Sequence, residues 1–158
     1  MSYSVVIVVI SLKYSMNMLN ISASFYDNLS TILGTKVSDP KEEIRVIKHG
    51  IPAQALKYYW TNYDGEKSLQ WICVDRTYRR RLKDKDLLNP VQTQRLFRLA
   101  RTELLAKEAF SSLEKARKWL RRENRVFDGA TPLSMLETDI GAKLVEEELQ
   151  KINYGFLA

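Results

Sequence analysis

Two helix starts in close succession, Thr131-Pro132 and Thr138-Asp139, constrain the fold of this chain more than any other feature. A threonine at an N-cap accepts a hydrogen bond from the first helical turn, and proline at the first helical position loses nothing by lacking an N–H. The pattern predicts a short helix from Leu133 to about Leu136 and a longer one from Ile140 to Ile152. Along the longer helix Gly141, Val145, Leu149 and Ile152 recur at the spacing of one helical face. Small Gly141 lets another backbone come close on that face, and Gly155 suits the left-handed residue that ends a helix. The chain then closes on an apolar tip, Phe156-Leu157-Ala158, where a charged tail is the usual ending.

A chain of 158 residues with 45% apolar content makes one domain, or two small helical ones that share a core. The lone Cys73 excludes disulfides within the chain and Cys-rich zinc sites, and suits a reducing cytoplasm. The lone His49 argues against Ser-His-Asp chemistry and histidine clusters; beside Gly50 and Pro52 it reads as a polar residue at a helix end. There is no GxGxxG, P-loop, HExxH or nucleophile elbow. Consecutive Glu146-Glu147-Glu148 would point about 100° apart on a helix, so they read as a solvated acidic face rather than a metal site. No catalytic residue, cofactor or metal is expected.

Charge is uneven along the chain. Residues 41–110 carry fifteen basic and nine acidic groups, residues 111–125 six and two, and residues 126–158 two and six. A basic middle and an acidic tail suggest two partners, one of them polyanionic.

The apolar run Val5 to Leu12 is far shorter than the roughly 20 residues of a membrane helix. It lacks the basic flank and cleavage site of a signal peptide. It fits a short strand, or lies ahead of a natural start at Met16 or Met18. Ile21 to Leu33 predicts a helix through Phe25, Leu29, Ile32 and Leu33, with Ser24 as its cap, and Gly34 to Pro40 a linker. Lys41 to Lys48 fits either a helical turn or an extended connection. Ala53 to Tyr63 predicts a helix with Leu56, Tyr59 and Trp60 inward, broken at Asp64-Gly65.

Glu66 to Cys73 predicts a short helix on Leu69 and Ile72, Val74-Asp75 a tight turn, and Arg76 to Leu82 a basic helix capped by Asp75. Helix, turn and basic helix make a helix-turn-helix. In such a motif Arg76, Thr77, Tyr78, Arg79, Arg80, Arg81 and Lys83 would meet DNA, through bidentate guanidinium contacts to guanine or salt-dependent contacts to phosphate. A solvated basic face on a structural helix is the alternative. Asn89-Pro90 then caps a long helix, Val91 to Phe110, with Leu96, Leu99, Ala100 and Leu104 as its apolar stripe and Arg95, Arg98 and Arg101 along another side. Ser111-x-x-Glu114 has the form of a capping box. It would start a helix to Arg122 with Leu113, Ala116 and Leu120 inward and Trp119 as an anchor; Asn124 ends it and Asp128-Gly129 turns the chain.

The string GATPLSMLETDIGAKLVEEELQKINYG resembles the toxin-binding domain of the Xre/MbcA/ParS-type antitoxins. The family pattern is met by Trp119-Leu120, Asn124, Gly129, Thr131-Pro132-Leu133, Leu136, Gly141-Ala142, Val145, Leu149, Ile152 and Gly155. The likeness continues upstream to about Lys48 and does not cover residues 1 to about 40. Asp75-Arg76-Thr77 and Arg80-Arg81 match the end of a degenerate Xre-type motif, and Leu88-Asn89-Pro90 resembles the family's L-S-P element. Cys73-Val74 and Trp71 depart from it.

The resemblance implies an all-α antitoxin of the RES–Xre type II toxin–antitoxin system, non-enzymatic and cytoplasmic. Residues 1–40 would be a partly helical N-terminal segment. Residues 41–110 would form an Xre/Cro-like helix-turn-helix domain for dimerisation and for repression at operator DNA. Residues 111–158 would form the toxin-binding domain. The partner would be a NAD-consuming RES-domain toxin, bound by a homodimer within a hetero-oligomer and blocked at its active site by the C-terminal segment. Carried onto this chain, that surface is Gly141, Lys143, Leu144, Glu147, Gln150, Lys151, Tyr154, Gly155, Phe156, Leu157 and Ala158. Tyr154 and Phe156 would be the anchors, since aromatics dominate small interfaces. Two rivals stand beside this reading: a stand-alone helix-turn-helix transcriptional regulator without a toxin, and an interaction protein that has lost DNA binding.

Overall fold

The computed structural model describes residues 23–155, and every extended regular element among them is a helix. An isolated antiparallel bridge joins Pro52 to Leu87. Helix α1 runs through residues 23–33 and buries Leu29 and Leu33. Ser24 lies inside it rather than at its cap, its carbonyl accepting from the Asn28 side chain at 2.8 Å. The run Val5 to Leu12 falls outside the described residues.

The open choice at Lys41 to Lys48 resolves to a helix, α2, Pro40–His49. Asp39 caps it by accepting from the amides of Lys41 and Glu42, and Pro40 takes the first helical position. Helix α3 is Gln54–Asn62, with Leu56 and Tyr59 fully buried.

The helix expected from Glu66 to Cys73 is a single turn, α4, Gly65–Ser68. Leu69 and Ile72 are still core residues, brought inward by a tight turn in which the amides of Ile72 and Cys73 both donate to Leu69 O. An i, i+3 spacing fits such a turn as well as a helix. Helix α5 is Asp75–Asp84. Its N-cap is Val74, and Asp75 is its first residue, where the carboxylate meets the positive end of the helix and the Arg79 guanidinium at 2.8 Å.

Helix α6, Pro90–Phe110, is the axle of the molecule. Asn89 and Gln92 form a reciprocal capping box. Its buried residues include Thr93, Thr102 and Glu103 as well as the expected stripe. Helices α2, α7 (Leu113–Arg121) and α9 (Asp139–Asn153) all lie against it. The capping serine of α7 is Ser112, which accepts from the Lys115 amide. Ser111 is taken by the left-handed residue that closes α6, at φ 52°. Asn124 caps a 3-10 turn, Arg125–Phe127, before the short α8, Pro132–Met135. Trp119 packs between Phe110 and Phe127.

The three arginines of α6 are clamps. Arg95 donates to Trp71 O at 2.6 Å, Arg98 to Leu136 O at 2.8 Å and to Asp139, and Arg101 to both oxygens of Glu43 at 2.6 Å.

Candidate functional site

The two caps read from sequence build the α8–α9 corner. Thr131 Oγ1 accepts from the Ser134 amide at 3.1 Å and Thr138 Oγ1 from the Gly141 amide at 3.0 Å. Gly141 sits against the Met135 carbonyl, so closely that a Cβ there would overlap that oxygen. Gly141, Ala142, Val145 and Leu149 form the buried face of α9 against α6. Gly141 therefore serves the corner and is withdrawn from the surface on which the sequence placed it.

The opposite face of α9 is apolar at several turns. Ile140 is 77% exposed, Leu144 44% and Tyr154 64%. Glu147 and Lys151, both exposed, fall between Leu144 and Tyr154 on the same stripe, and Lys143 and Gln150 flank it. Lys151 pairs with Glu148 at 3.5 Å. Gly155 closes the helix in the left-handed region at φ 72°. Ile140, four residues before Leu144, belongs to this stripe; its spacing was the available signal. Phe156, Leu157 and Ala158 lie outside the described residues. The acidic run is not uniformly solvated: Glu147 is exposed, while Glu146 is half-buried beside Arg101 and Lys143. Burial raises the Glu146 carboxyl pKa, partly offset by the Arg101 charge.

On α5 the seven predicted positions divide. Tyr78 turns inward and is 3% exposed, its ring 4.3 Å from that of Trp60, and burial pushes its hydroxyl pKa up to about 12. It is thereby removed from any DNA-facing set. Arg79 pairs with Asp75 and Glu66, Arg80 lies 3.9 Å from Asp84 and 3.8 Å from Asp86, and Arg81 donates to Leu87 O. Arg76 and Lys83 are exposed with no ion-pair partner among the described residues, and Thr77 is half-buried.

Between α3, α6 and α7 lies a buried polar cluster. Glu103 is 0% exposed and accepts from Tyr63 Oη, from Tyr58 Oη at 3.4 Å and from Arg117 Nε at 3.1 Å. Arg117 also donates to Asn62 Oδ1 at 2.9 Å and to Tyr58 Oη, and lies over the Tyr58 ring. Desolvation opposes its charge, but the hydrogen bond and charge of Glu103 outweigh this and raise its pKa. Position 103 continues the Leu96 stripe by seven residues, so an acid there was a legible sign of a buried pair. Among the described residues no group of His, Cys, Asp or Glu is arranged to hold a metal ion, and no helix is long and apolar enough to cross a membrane.

Residues 105–155 match the family model of the antitoxin Xre/MbcA/ParS C-terminal toxin-binding domain. The chain is also similar to an Antitoxin Xre of Pseudomonas putida, 36% identical over 81 residues, which are 51% of this chain and 51% of that protein. The chain thus spans about half the length of the curated relative it matches. Both findings agree with the resemblance carried by Trp119 to Gly155.

Proposed function

We propose that this chain, whose residues 105–155 match the model of the Xre/MbcA/ParS C-terminal toxin-binding domain, is the antitoxin of a toxin–antitoxin pair whose toxin is a RES-domain, NAD-consuming enzyme. The observation that carries the reading is the outer face of α9. It keeps Ile140, Leu144 and Tyr154 in solvent on a domain that buries Leu120, Leu136, Val145 and Leu149. Exposed apolar side chains interspersed with and flanked by polar ones on one helix face suit a docking face. On this reading Leu144, Glu147, Lys151 and Tyr154 contact the toxin, Lys143 and Gln150 form the rim, and Gly155 bends the chain so that Phe156, Leu157 and Ala158 reach the toxin's active site.

The test is co-expression with a RES-domain toxin, comparing the full chain with a version ending at Asn153. Growth, co-purification and cellular NAD⁺ are the readouts. Full-length chain that co-purifies and restores NAD⁺, against a truncation that binds but does not restore it, supports blockage by the tail. A truncation that protects as well as the full chain sinks that part, and loss of all co-purification sinks the partnership.

Operator binding through α5, by a dimer that represses its own operon, is the second half of the proposal. Arg76 and Lys83 are its cations without an ion-pair partner among the described residues, and Thr77 lies beside Arg76. The internal pairing of Arg79, Arg80 and Arg81 favours the rival in which the helix has lost DNA binding. Replacing Arg76 and Lys83 by alanine and titrating the chain's own promoter DNA separates the two, since only the operator reading predicts loss of sequence-selective binding.

A further inference from the structure

The described residues hold a second basic surface that the α5 reading does not use. Lys115, Lys118, Arg121, Arg122 and Arg125 are all exposed, on α7 and the turn after it. On the helix, Ala116 and Leu120 define the buried side, and Lys115, Lys118, Arg121 and Arg122 spread over the opposite one. None of the five pairs with an acid among the described residues, although Glu114 lies four residues before Lys118 and Glu123 beside Arg122. On α5, by contrast, Arg79 and Arg80 are neutralised by acids of their own surface. Arg122 and Arg125 also line a depression of ≈ 430 Å³ with Glu123, Asn124 and Gly129, two cations to one acid.

We propose that this α7 face is a phosphate-binding surface for the nucleic-acid backbone, distinct from α5 and independent of sequence. Its composition decides between a nucleic acid and a protein partner. Protein interfaces have an apolar or aromatic centre and are depleted in lysine. Here the exposed large apolar side chain beside the cations is Val126 alone among the described residues, with no exposed aromatic. Nucleic-acid interfaces are polar and strongly positive, and cations that replace condensed counterions bind with a steep salt dependence. The proposal goes beyond operator recognition: it supplies affinity without specificity and does not require α5 to contact DNA.

The test uses the full chain and a random-sequence DNA duplex, titrated over a series of salt concentrations. Lys118→Gln, Arg121→Gln and Arg122→Gln are combined in one variant. A control of equal net charge carries Lys41→Gln, Lys57→Gln and Lys107→Gln, exposed cations elsewhere. Helical content by circular dichroism establishes that both are folded. The α7 variant should lose at least about ten-fold in affinity, and its salt slope should fall by about 0.9 for each phosphate contact removed, while the control stays near wild type. The proposal is overturned if the α7 variant binds as wild type does, if the control loses as much, or if the wild-type chain does not bind the random duplex. It is equally overturned if the α7 variant loses toxin capture but keeps DNA. The Arg76 and Lys83 variant on promoter DNA reports on the operator reading separately, so either can fail alone.

Discussion

Arg117 and Glu103 show how one residue pair can hold three helices. Glu103 sits on α6, Arg117 on α7, and Tyr58, Asn62 and Tyr63 come from α3 and the residue that closes it. Removing one member of a buried pair leaves the other charged and uncompensated, at about 3–5 kcal/mol, whereas replacing both by apolar groups is often neutral. Arg117→Met should therefore lower unfolding free energy in urea by that amount, and adding Glu103→Leu should recover most of it. A double variant no better than the single would contradict the pairing. Gly141→Ala drives a methyl into the Met135 carbonyl and should cost about 1–3 kcal/mol in the same assay, because backbone rather than a flexible side chain must give way. At Glu146 the folded-state pKa is raised, so its contribution to stability is full below the ordinary carboxylate value of 4.5 and is lost as pH rises through the folded-state pKa. Glu146→Gln should accordingly raise Tm at neutral pH, with the gain vanishing in acid. A gain independent of pH would assign the effect to something other than titration.

At the scale of elements, α5 has two faces of different character. Tyr78 anchors it against Trp60, while on the other side Arg79 and Arg80 pair with Glu66, Asp75, Asp84 and Asp86. Tyr78→Ala should lower stability by about 3–5 kcal/mol, as large aromatic truncations do, and alanine at Arg79 by less than about 1 kcal/mol, since exposed ion pairs contribute little. Thermal melts of the two variants check the contrast. The same helix marks how far sequence could be read. Caps that depend on one side chain and its own next turn, at Asn89, Thr131 and Thr138, were legible, as was the buried stripe of α9. Where two local solutions shared one spacing, tertiary context chose. Leu69 and Ile72 reached the core through a turn rather than a helix, and the left-handed end of α6 consumed Ser111 and left Ser112 to cap. Tyr78 was placed outward because it lies near the N-terminal end of the second helix of a helix-turn-helix, yet an aromatic ring among arginines on an amphipathic helix is the side chain with most to gain from burial. The partners of Glu103 come from 14 to 45 residues away in sequence, so only the acid itself, on an apolar stripe, could have announced the cluster.

For the whole molecule, the decisive feature is that one core runs through the region matched by the family model and the residues upstream of it. The region matched by the family model begins at residue 105, inside α6, and the buried apolar residues from Tyr26 to Leu149 form one cluster. The same α6 receives α2 on the upstream side and α7 and α9 on the downstream side. A functional boundary between residues 110 and 111 would therefore fall at the end of a shared helix, with the Glu103–Arg117 pair crossing it. Two halves joined through one core should unfold together, since neither can lose its packing on α6 without exposing the other's. The tryptophans report on each side: Trp60 packs on Tyr78 upstream, and Trp119 lies between Phe110 and Phe127 downstream. In urea, a variant keeping only Trp119 and a variant keeping only Trp60 should give fluorescence transitions that coincide with each other and with the loss of helical circular dichroism. Arg117→Met should shift both midpoints together. If the Trp119 transition moved away from the Trp60 transition, in either the parent or the Arg117 variant, the region matched by the family model would be an independent unit, and its mounting on α6 a contact between domains rather than a common core.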